Sequence, residues 1–316
     1  MKQADFPFSP SAASNCPSCG SGNTENLGAL PSTPQPTFGG VRAERISAGD
    51  LFSCRSCDLR FRFPALTQAA LNDLYQALPG TVWEMKAIPK CWVTIQKWFS
   101  DLKPGARVLD IGCFRGDFLR SLPPHFQKFG IEPSSEARFV AESRGIEIIG
   151  QTIDEGIPNG LKFEVISLID VLEHLTAPQS VLNKLKAHLV PGGRVLIFTG
   201  ATDSLPWKIF GRHYWYSALL EHVSFFSLKW FKQAATTSGF SIGRVQYLSS
   251  EPQSPHRYIL QFIRLLLFVG VTKYREWGIP DSVLTKIPGI KKVTSWTHTP
   301  WWRASRDHIL IELIKD

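Results

Sequence analysis

A chain of 316 residues, 43% of them hydrophobic, can bury a full core, which argues against intrinsic disorder. Its formal charge of +8 is uneven: over residues 252–316, ten lysines and arginines face five acids, a balance that suits a phosphorylated or nucleotide-linked molecule, a lipid headgroup or nucleic acid. No apolar run near Met1 reads as a secretory signal, and the most apolar segment, 258–271, is too short to span a bilayer and is broken by Gln261 and Arg264, so a soluble, cytoplasmic protein is expected.

The first 64 residues are rich in Pro, Gly, Ser and Cys and show little periodicity. Cys16-Pro17-Ser18-Cys19 and Cys54-Arg55-Ser56-Cys57 each place two thiols on a tight turn. Two such knuckles supply Cys16, Cys19, Cys54 and Cys57 to one tetrahedral zinc, a closed site with a structural role. A segment this small has too little core to hold itself without a staple. Pro31, Pro34, Pro36 and Gly39-Gly40 read as the loop between the knuckles. The alternative is a redox pair, but nothing around either pair resembles a thioredoxin unit.

Residues 67–99 turn helical, with Leu71, Leu74, Tyr75 and Leu78, then Trp92, Ile95, Trp98 and Phe99. From Ala106 short apolar strands alternate with helices, the pattern of a parallel sheet covered on both faces. Strands are expected at 107–111, 127–132, 147–149, 163–169 and 193–198, with helices at 116–122, 135–144 and 178–189. Pro191-Gly192-Gly193 is read as the stop of the last of these helices. A helix at 228–238 and strands at 240–248 and 308–314 complete the reading. The expected division is 1–64, 65–103 and 104–316, with an insertion at 252–305.

The informative stretch runs from Val108 to Leu119: an apolar strand, Asp110 near its tip, the turn Gly112-Cys113-Phe114-Arg115-Gly116, then a helix. In a doubly wound sheet a nucleotide sits at this crevice. A dinucleotide site wants Gly-x-Gly-x-x-Gly to bring backbone N–H groups onto a pyrophosphate. Here Phe114 replaces the middle glycine, and a carboxylate at the strand end would repel phosphate. Asp110 suits a cofactor with a cationic amino-acid portion. Glu132, ending the second strand, can accept both ribose hydroxyls.

Asp110-Ile111-Gly112-Cys113 and Gly130-Ile131-Glu132-Pro133-Ser134, followed by Ile169-Asp170-Val171-Leu172-Glu173-His174-Leu175 and Leu189-Val190-Pro191-Gly192-Gly193, resemble the ordered motifs of class I S-adenosylmethionine-dependent methyltransferases. The N-terminal part is similar to a bacterial subgroup whose zinc ribbon ends in an aromatic-rich Cys-x-x-Cys segment. The resemblance implies a seven-stranded Rossmann-like sheet with an antiparallel last strand. It places Asp110, Gly112 and Gly116 along the methionine and ribose side, Glu132 on the ribose, Thr152 and Ile153 beside the adenine, and Asp170 and Val171 beneath the cofactor. Phe114 is the departure, since most members carry glycine there.

Methyl transfer to carbon, oxygen or nitrogen is dominated by positioning, and a base is needed only for a protonated, weakly acidic acceptor. His174 and His222 are the candidates for that role. Tyr214, Trp215, Tyr216 and Glu221 resemble the acceptor-pocket stretch of the family. Asp170-Val171-Leu172-Glu173 replaces the Asn/Asp-Pro-Pro-Tyr/Phe of adenine-N6 enzymes, and no Pro-Cys nucleophile for pyrimidine C5 is present. The subgroup implies a small-molecule, sugar or lipid-linked glycan acceptor, methylated at oxygen or carbon. An RNA methyltransferase is the rival, disfavoured because the ribbon region is nearly charge-balanced; a non-catalytic relative is a second. Residues 258–271, with Arg257, Lys273 and Arg275 as neighbours, read as a peripheral membrane contact, a lid, or a helix packed on the main domain.

Overall fold

The structure, a computed structural model, describes residues 15–31, 37–39, 41–42, 46–82, 88–249, 254–287, 290–294, 300 and 306–316. Pro34, Pro36, Gly40 and the segment tested for a secretory signal lie outside the described residues, apart from Asn15. The N-terminal region contributes β1 (Thr24–Ala29), β2 (Thr37–Phe38), β3 (Val41–Arg42), β4 (Asp50–Cys54) and β5 (Arg60–Phe63). Strands β1, β4 and β5 pair antiparallel, while β2 and β3 form a separate short ribbon.

Helix α1 (Gln68–Gln76) is capped by the Thr67 side chain, which accepts from the Ala70 amide, and it buries Ala70, Leu71 and Leu74. Helix α2 (Lys90–Trp98) follows Pro89 and buries Cys91, Trp92, Ile95 and Trp98, the i, i+1, i+4, i+7 face of the sequence pattern. The main sheet then begins with β6 (Arg107–Ile111), α3 (Asp117–Ser121), β7 (Gln127–Ile131), α4 (Ser135–Ser143), β8 (Glu147–Gly150), β9 (Phe163–Ile169), α5 (Pro178–Ala187) and β10 (Leu189–Gly200). After α6 (Leu205–Phe210), α7 (Trp215–Ala218), β11 (Ser224–Phe225) and α8 (Leu228–Ser238) come β12 (Phe240–Leu248), α9 (Pro255–Glu276) and the last strand, β13 (His308–Lys315).

The seven strands lie in the order β12-β13-β10-β9-β6-β7-β8, and β13 alone runs against its neighbours. Both faces of the central strands are buried, as the apolar runs require. Leu109, Ile111, Ile166, Leu168, Val195 and Ile197 pack into one core, and the alternating Val108, Val165, Leu196 and Phe198 into the other. The expected doubly wound sheet with an antiparallel last strand is therefore present.

The Pro191-Gly192-Gly193 turn corrects the sequence reading. Helix α5 has already ended at Ala187, and the turn lies inside β10 as a break in register between Leu189 and Arg194. A β-carbon on Gly193 would lie 2.9 Å from the Val190 carbonyl and 3.0 Å from that of Phe163, so close backbone approach explains the glycine. Among the described residues no helix is long and apolar enough to cross a membrane.

Candidate active site

The loops at the carboxyl ends of β6, β7 and β9 form the crevice. Gly112 turns the chain at φ +70°, and a β-carbon there would sit 2.6 Å from Cγ2 of Val171, so the two residues are mutually fitted. Gly116, at φ +73°, opens α3 and packs against Ile146, which a β-carbon would meet at 2.8 Å. Phe114 also adopts a left-handed φ, +50°, a conformation that costs a non-glycine residue roughly 1–2 kcal/mol. Its amide donates to Glu132 Oε2 at 2.8 Å, a charge-assisted bond that holds it there. This explains why glycine is the usual residue, and how phenylalanine is tolerated.

Glu132 is buried, and its other oxygen accepts from the Ser134 amide at 2.8 Å. Asp110 is equally buried, with Oδ1 accepting from Ser167 Oγ at 2.7 Å. Burial pushes the Asp110 carboxyl up to about 7; the Ser167 hydrogen bond opposes the rise and the Glu132 charge adds to it. Burial also raises Glu132. Among the described residues neither carboxylate forms an ion pair. Asp110, buried with no cation among the described residues acting on it, fits a ligand that carries positive charge, and the two acids together would repel a diphosphate.

The other predicted crevice residues divide by role. Ile153 is buried in the core as an apolar wall, and Thr152 Oγ1 accepts from the Glu155 amide at 3.3 Å. Asp170, at φ +53°, donates its amide to the Phe198 carbonyl at 2.9 Å and leaves its side chain 53% exposed.

Next to the crevice lies a buried polar cluster. One ring nitrogen each of His174 and His222 and a carboxylate oxygen of Glu173 lie within 4.8 Å of one another. His222 Nδ1 sits 2.8 Å from the Tyr216 carbonyl, which can only accept, so Nδ1 carries the proton and the lone pair is on Nε2. Burial and then the nearby His174 hold its pKa well below the ordinary value, leaving the ring neutral. His174 Nδ1 contacts the Tyr75 hydroxyl at 2.8 Å and the Glu221 carbonyl at 3.0 Å. The Tyr216 hydroxyl donates to Glu173 Oε1 at 2.6 Å, and that of Tyr214 donates to Asp307 Oδ2 at 2.6 Å. Tyr214, Trp215 and Tyr216 are all buried. The two tyrosines thus tether the carboxylates behind the cluster. Glu221 is buried as well, and among the described residues no donor reaches its Oε2.

A separate cavity of about 510 Å³ opens at the opposite, amino ends of the strands. Its charges are already matched: Arg194 pairs with Asp101 at 3.0 Å and Glu312 at 3.1 Å, and Arg244 with Glu312 at 2.5 Å. The unpaired acids lie at the carboxyl ends, where ligands bind in open α/β sheets.

The methyltransferase domain family (Methyltransf_23) matches residues 89–244, the span that holds β6 to β10 and both histidines. Residues 89–244 carry a methyltransferase domain of this family. The ubiquinone biosynthesis O-methyltransferase of Salmonella arizonae is 30% identical over 111 residues, 33% of this chain and 46% of that protein. The probable tRNA methyltransferase 9B of Bos taurus is 25% identical over 143 residues, 44% of this chain and 30% of that protein. The chain spans less than half the length of these curated relatives. Among solved structures, the YcgJ protein of Bacillus subtilis has 19% identity and a TM-score of 0.46, covering 71% of this chain and 97% of that one. The N-methyltransferase NodS of Bradyrhizobium japonicum, in complex with S-adenosyl-L-homocysteine, has 14% identity and a TM-score of 0.45, covering 78% and 98%.

Outside the methyltransferase match, the four predicted zinc ligands converge. Cys16 Sγ and Cys57 Sγ are 3.5 Å apart, Cys19 Sγ and Cys54 Sγ 3.6 Å, and all four lie within 4.8 Å of one another. Such gaps are far longer than a disulfide of about 2.05 Å. Four sulfurs at about 2.3 Å from a tetrahedral zinc stand about 3.8 Å apart. The cluster fits structural zinc.

The ribbon is welded to the methyltransferase domain. Strand β5 pairs with β11 through Phe61 and Ser224, and Trp230 Nε1 donates to Ser18 Oγ at 2.9 Å. Arg62 is buried, and its guanidinium donates to the carbonyls of His222 at 3.0 Å, Ser217 and Leu219 at 2.8 Å, and also Ala48. Burial lowers its pKa to about 10, which leaves it charged at neutral pH.

Sequence reasoning missed Arg62, Tyr75, Asp307 and His308. His308 opens β13 and lies 2.9 Å from Asp307 and 3.9 Å from Asp170. Burial alone would lower its pKa, but Asp307, with Asp170 and Glu173, outweighs that and raises it to about 9. An Asp-His pair opening the last strand was the available signal; Arg62 had none, because three of its four partners lie 155 to 160 residues away.

Replacing Arg62 by alanine is expected to cost about 3–5 kcal/mol, since it strips the donor from four carbonyls. Urea denaturation at pH 7 measures this; a loss below 1 kcal/mol would show that water replaces the guanidinium.

Proposed function

We propose that the chain transfers a methyl group from S-adenosylmethionine to oxygen or carbon of a small-molecule, sugar or lipid-linked glycan acceptor, with His222 Nε2 as general base. The neutral, Nδ1-anchored His222 carries this reading, because its unprotonated Nε2 belongs to the polar cluster beside the cofactor crevice. Asp110 would hold the cationic amino-acid portion of the cofactor, and Glu132 the ribose. The cofactor supplies an electrophilic methyl on a sulfonium whose departure as a thioether needs no acid. His222 Nε2 would take up the proton that the oxygen or carbon acceptor gives up on methylation.

Tyr75 and the Glu221 carbonyl orient His174, which together with the orphan Glu221 Oε2 would bind the acceptor's polar groups. His222→Gln is expected to lower kcat by about 10²–10⁴-fold while leaving S-adenosylhomocysteine affinity unchanged, as measured by single-turnover kinetics and calorimetry. The acceptor class is tested by incubating the protein and methyl-labelled cofactor with separated metabolite, glycolipid and RNA fractions. Label in metabolites or glycolipids supports the proposal; label confined to RNA rejects it.

A further inference from the structure

Helix α9 buries Leu265, Phe268, Val269 and Val271 on one side, partly against α6, where Phe262 faces Phe210 at 6.1 Å between rings. Its opposite side is apolar too. Ile259, Ile263, Leu266, Leu267 and Trp277 are 39–70% exposed and fall on one stripe at helical spacing. Leu205 and Ile209 of α6 are likewise exposed, at 63% and 48%. An exposed apolar stripe of this kind along a helix marks an interaction site.

The charges around the stripe decide what covers it. By helical phase, the exposed Arg257 and Arg264 border one side and the exposed Lys273 the other. The nearby acids are already engaged, Glu276 by Arg212 at 2.5 Å and Asp281 by Arg275 at 2.8 Å. A two-fold contact with a second copy would set this basic border against itself. An apolar stripe between basic margins, closed by an exposed Trp at the helix end, matches the interface of an anionic bilayer.

We infer that α9 and the exposed edge of α6 dock on an anionic membrane surface, with α9 lying in the interface plane. The stripe inserts among the acyl chains, and Arg257, Arg264 and Lys273 meet the phosphates. Because α6 leads through residues 211–213 into the Tyr214–Tyr216 segment that opens α7, an acceptor held in the bilayer would be presented to the polar cluster; that consequence alone rests on the function proposed above.

The test is co-sedimentation of the full, zinc-loaded protein with phosphatidylcholine vesicles, with and without 30% phosphatidylglycerol. Binding to anionic vesicles is expected to exceed that to neutral ones by about tenfold or more, and to weaken at high salt. The triple variant Ile259→Ser/Ile263→Ser/Leu266→Ser is expected to keep wild-type affinity for S-adenosylhomocysteine, showing that it folds, and to lose about tenfold or more in vesicle binding. Arg257→Glu/Arg264→Glu is expected to abolish the preference for anionic lipid. Failure to sediment with anionic vesicles at low salt would overturn the inference. So would a dimer in analytical ultracentrifugation that the triple variant dissociates, which would assign the face to a second copy. Neither readout requires methyl transfer.

Discussion

Zinc removal is expected to unfold the ribbon and disorder the acceptor side, while the cofactor crevice survives. Four thiolates around zinc contribute on the order of 10 kcal/mol to folding a small domain, and the ribbon has little core to replace that. The damage should spread, because β5 is the partner of β11 and Arg62 ties together the carbonyls of Ser217, Leu219 and His222. Ser227 Oγ, which donates to Asp58 Oδ2 at 2.5 Å and caps α8, would lose its anchor as well. The crevice residues Asp110, Gly112 and Glu132 lie on β6, β7 and their loops, and among the described residues none of them takes a hydrogen bond from the ribbon. A strong chelator, or Cys54→Ser, is thus expected to lower the melting temperature by more than about 10 °C and abolish turnover. S-adenosylhomocysteine affinity should change by less than about fivefold. Metal analysis should return one zinc per chain. A chelated protein with unchanged melting and turnover would rule out the structural role.

Asp110→Asn is expected to weaken S-adenosylmethionine binding by about 10–100-fold at pH 8, and also to stabilise the free protein. Both effects follow from one buried carboxyl whose pKa burial raises to about 7. The sign for folding is explicit. The folded pKa lies above the unfolded value of about 3.9, so the folded state binds the proton more tightly. Stability from this group is therefore full below about pH 4 and is lost as pH rises through 7. Asparagine lacks that loss, so the variant's advantage should grow from pH 4 to 8, to no more than a few kcal/mol.

For the cofactor the sign is opposite, because its cationic portion favours the ionised acid. Wild-type affinity should rise with pH through about 7, with proton release on binding, and the variant should show neither. Calorimetry in buffers of different ionisation enthalpy measures the released proton directly. Equal affinities for wild type and variant at pH 8 would remove Asp110 from the cofactor site.

The motif Asp110-Ile111-Gly112 was legible because its causes are local. A strand must turn, a left-handed glycine allows it, and an acid at the tip selects a cation. Glu132 was legible for a similar reason, although its grip on the Phe114 amide was not, since that bond exists only when β6 and β7 lie side by side. The strand pattern could be read because both faces of the sheet are buried, which writes continuous apolar runs into the chain. The Pro191-Gly192-Gly193 turn was misplaced by a few residues, because a glycine required by approach to the Phe163 carbonyl looks, in one dimension, like a helix stop.

The sequence by itself determined the alternation of strands and helices, the grouping of four cysteines and the two acids that end β6 and β7. Each of these depends on residue types within a few positions of one another, or on a spacing that repeats. Only the tertiary structure decided that Tyr75, His174, His222 and Glu173 share one pocket, that Arg62 of the ribbon supports it, and that one side of α9 is left bare. Those facts depend on chain crossings between segments roughly 50 to 160 residues apart, and which segments meet is settled by how the whole core packs.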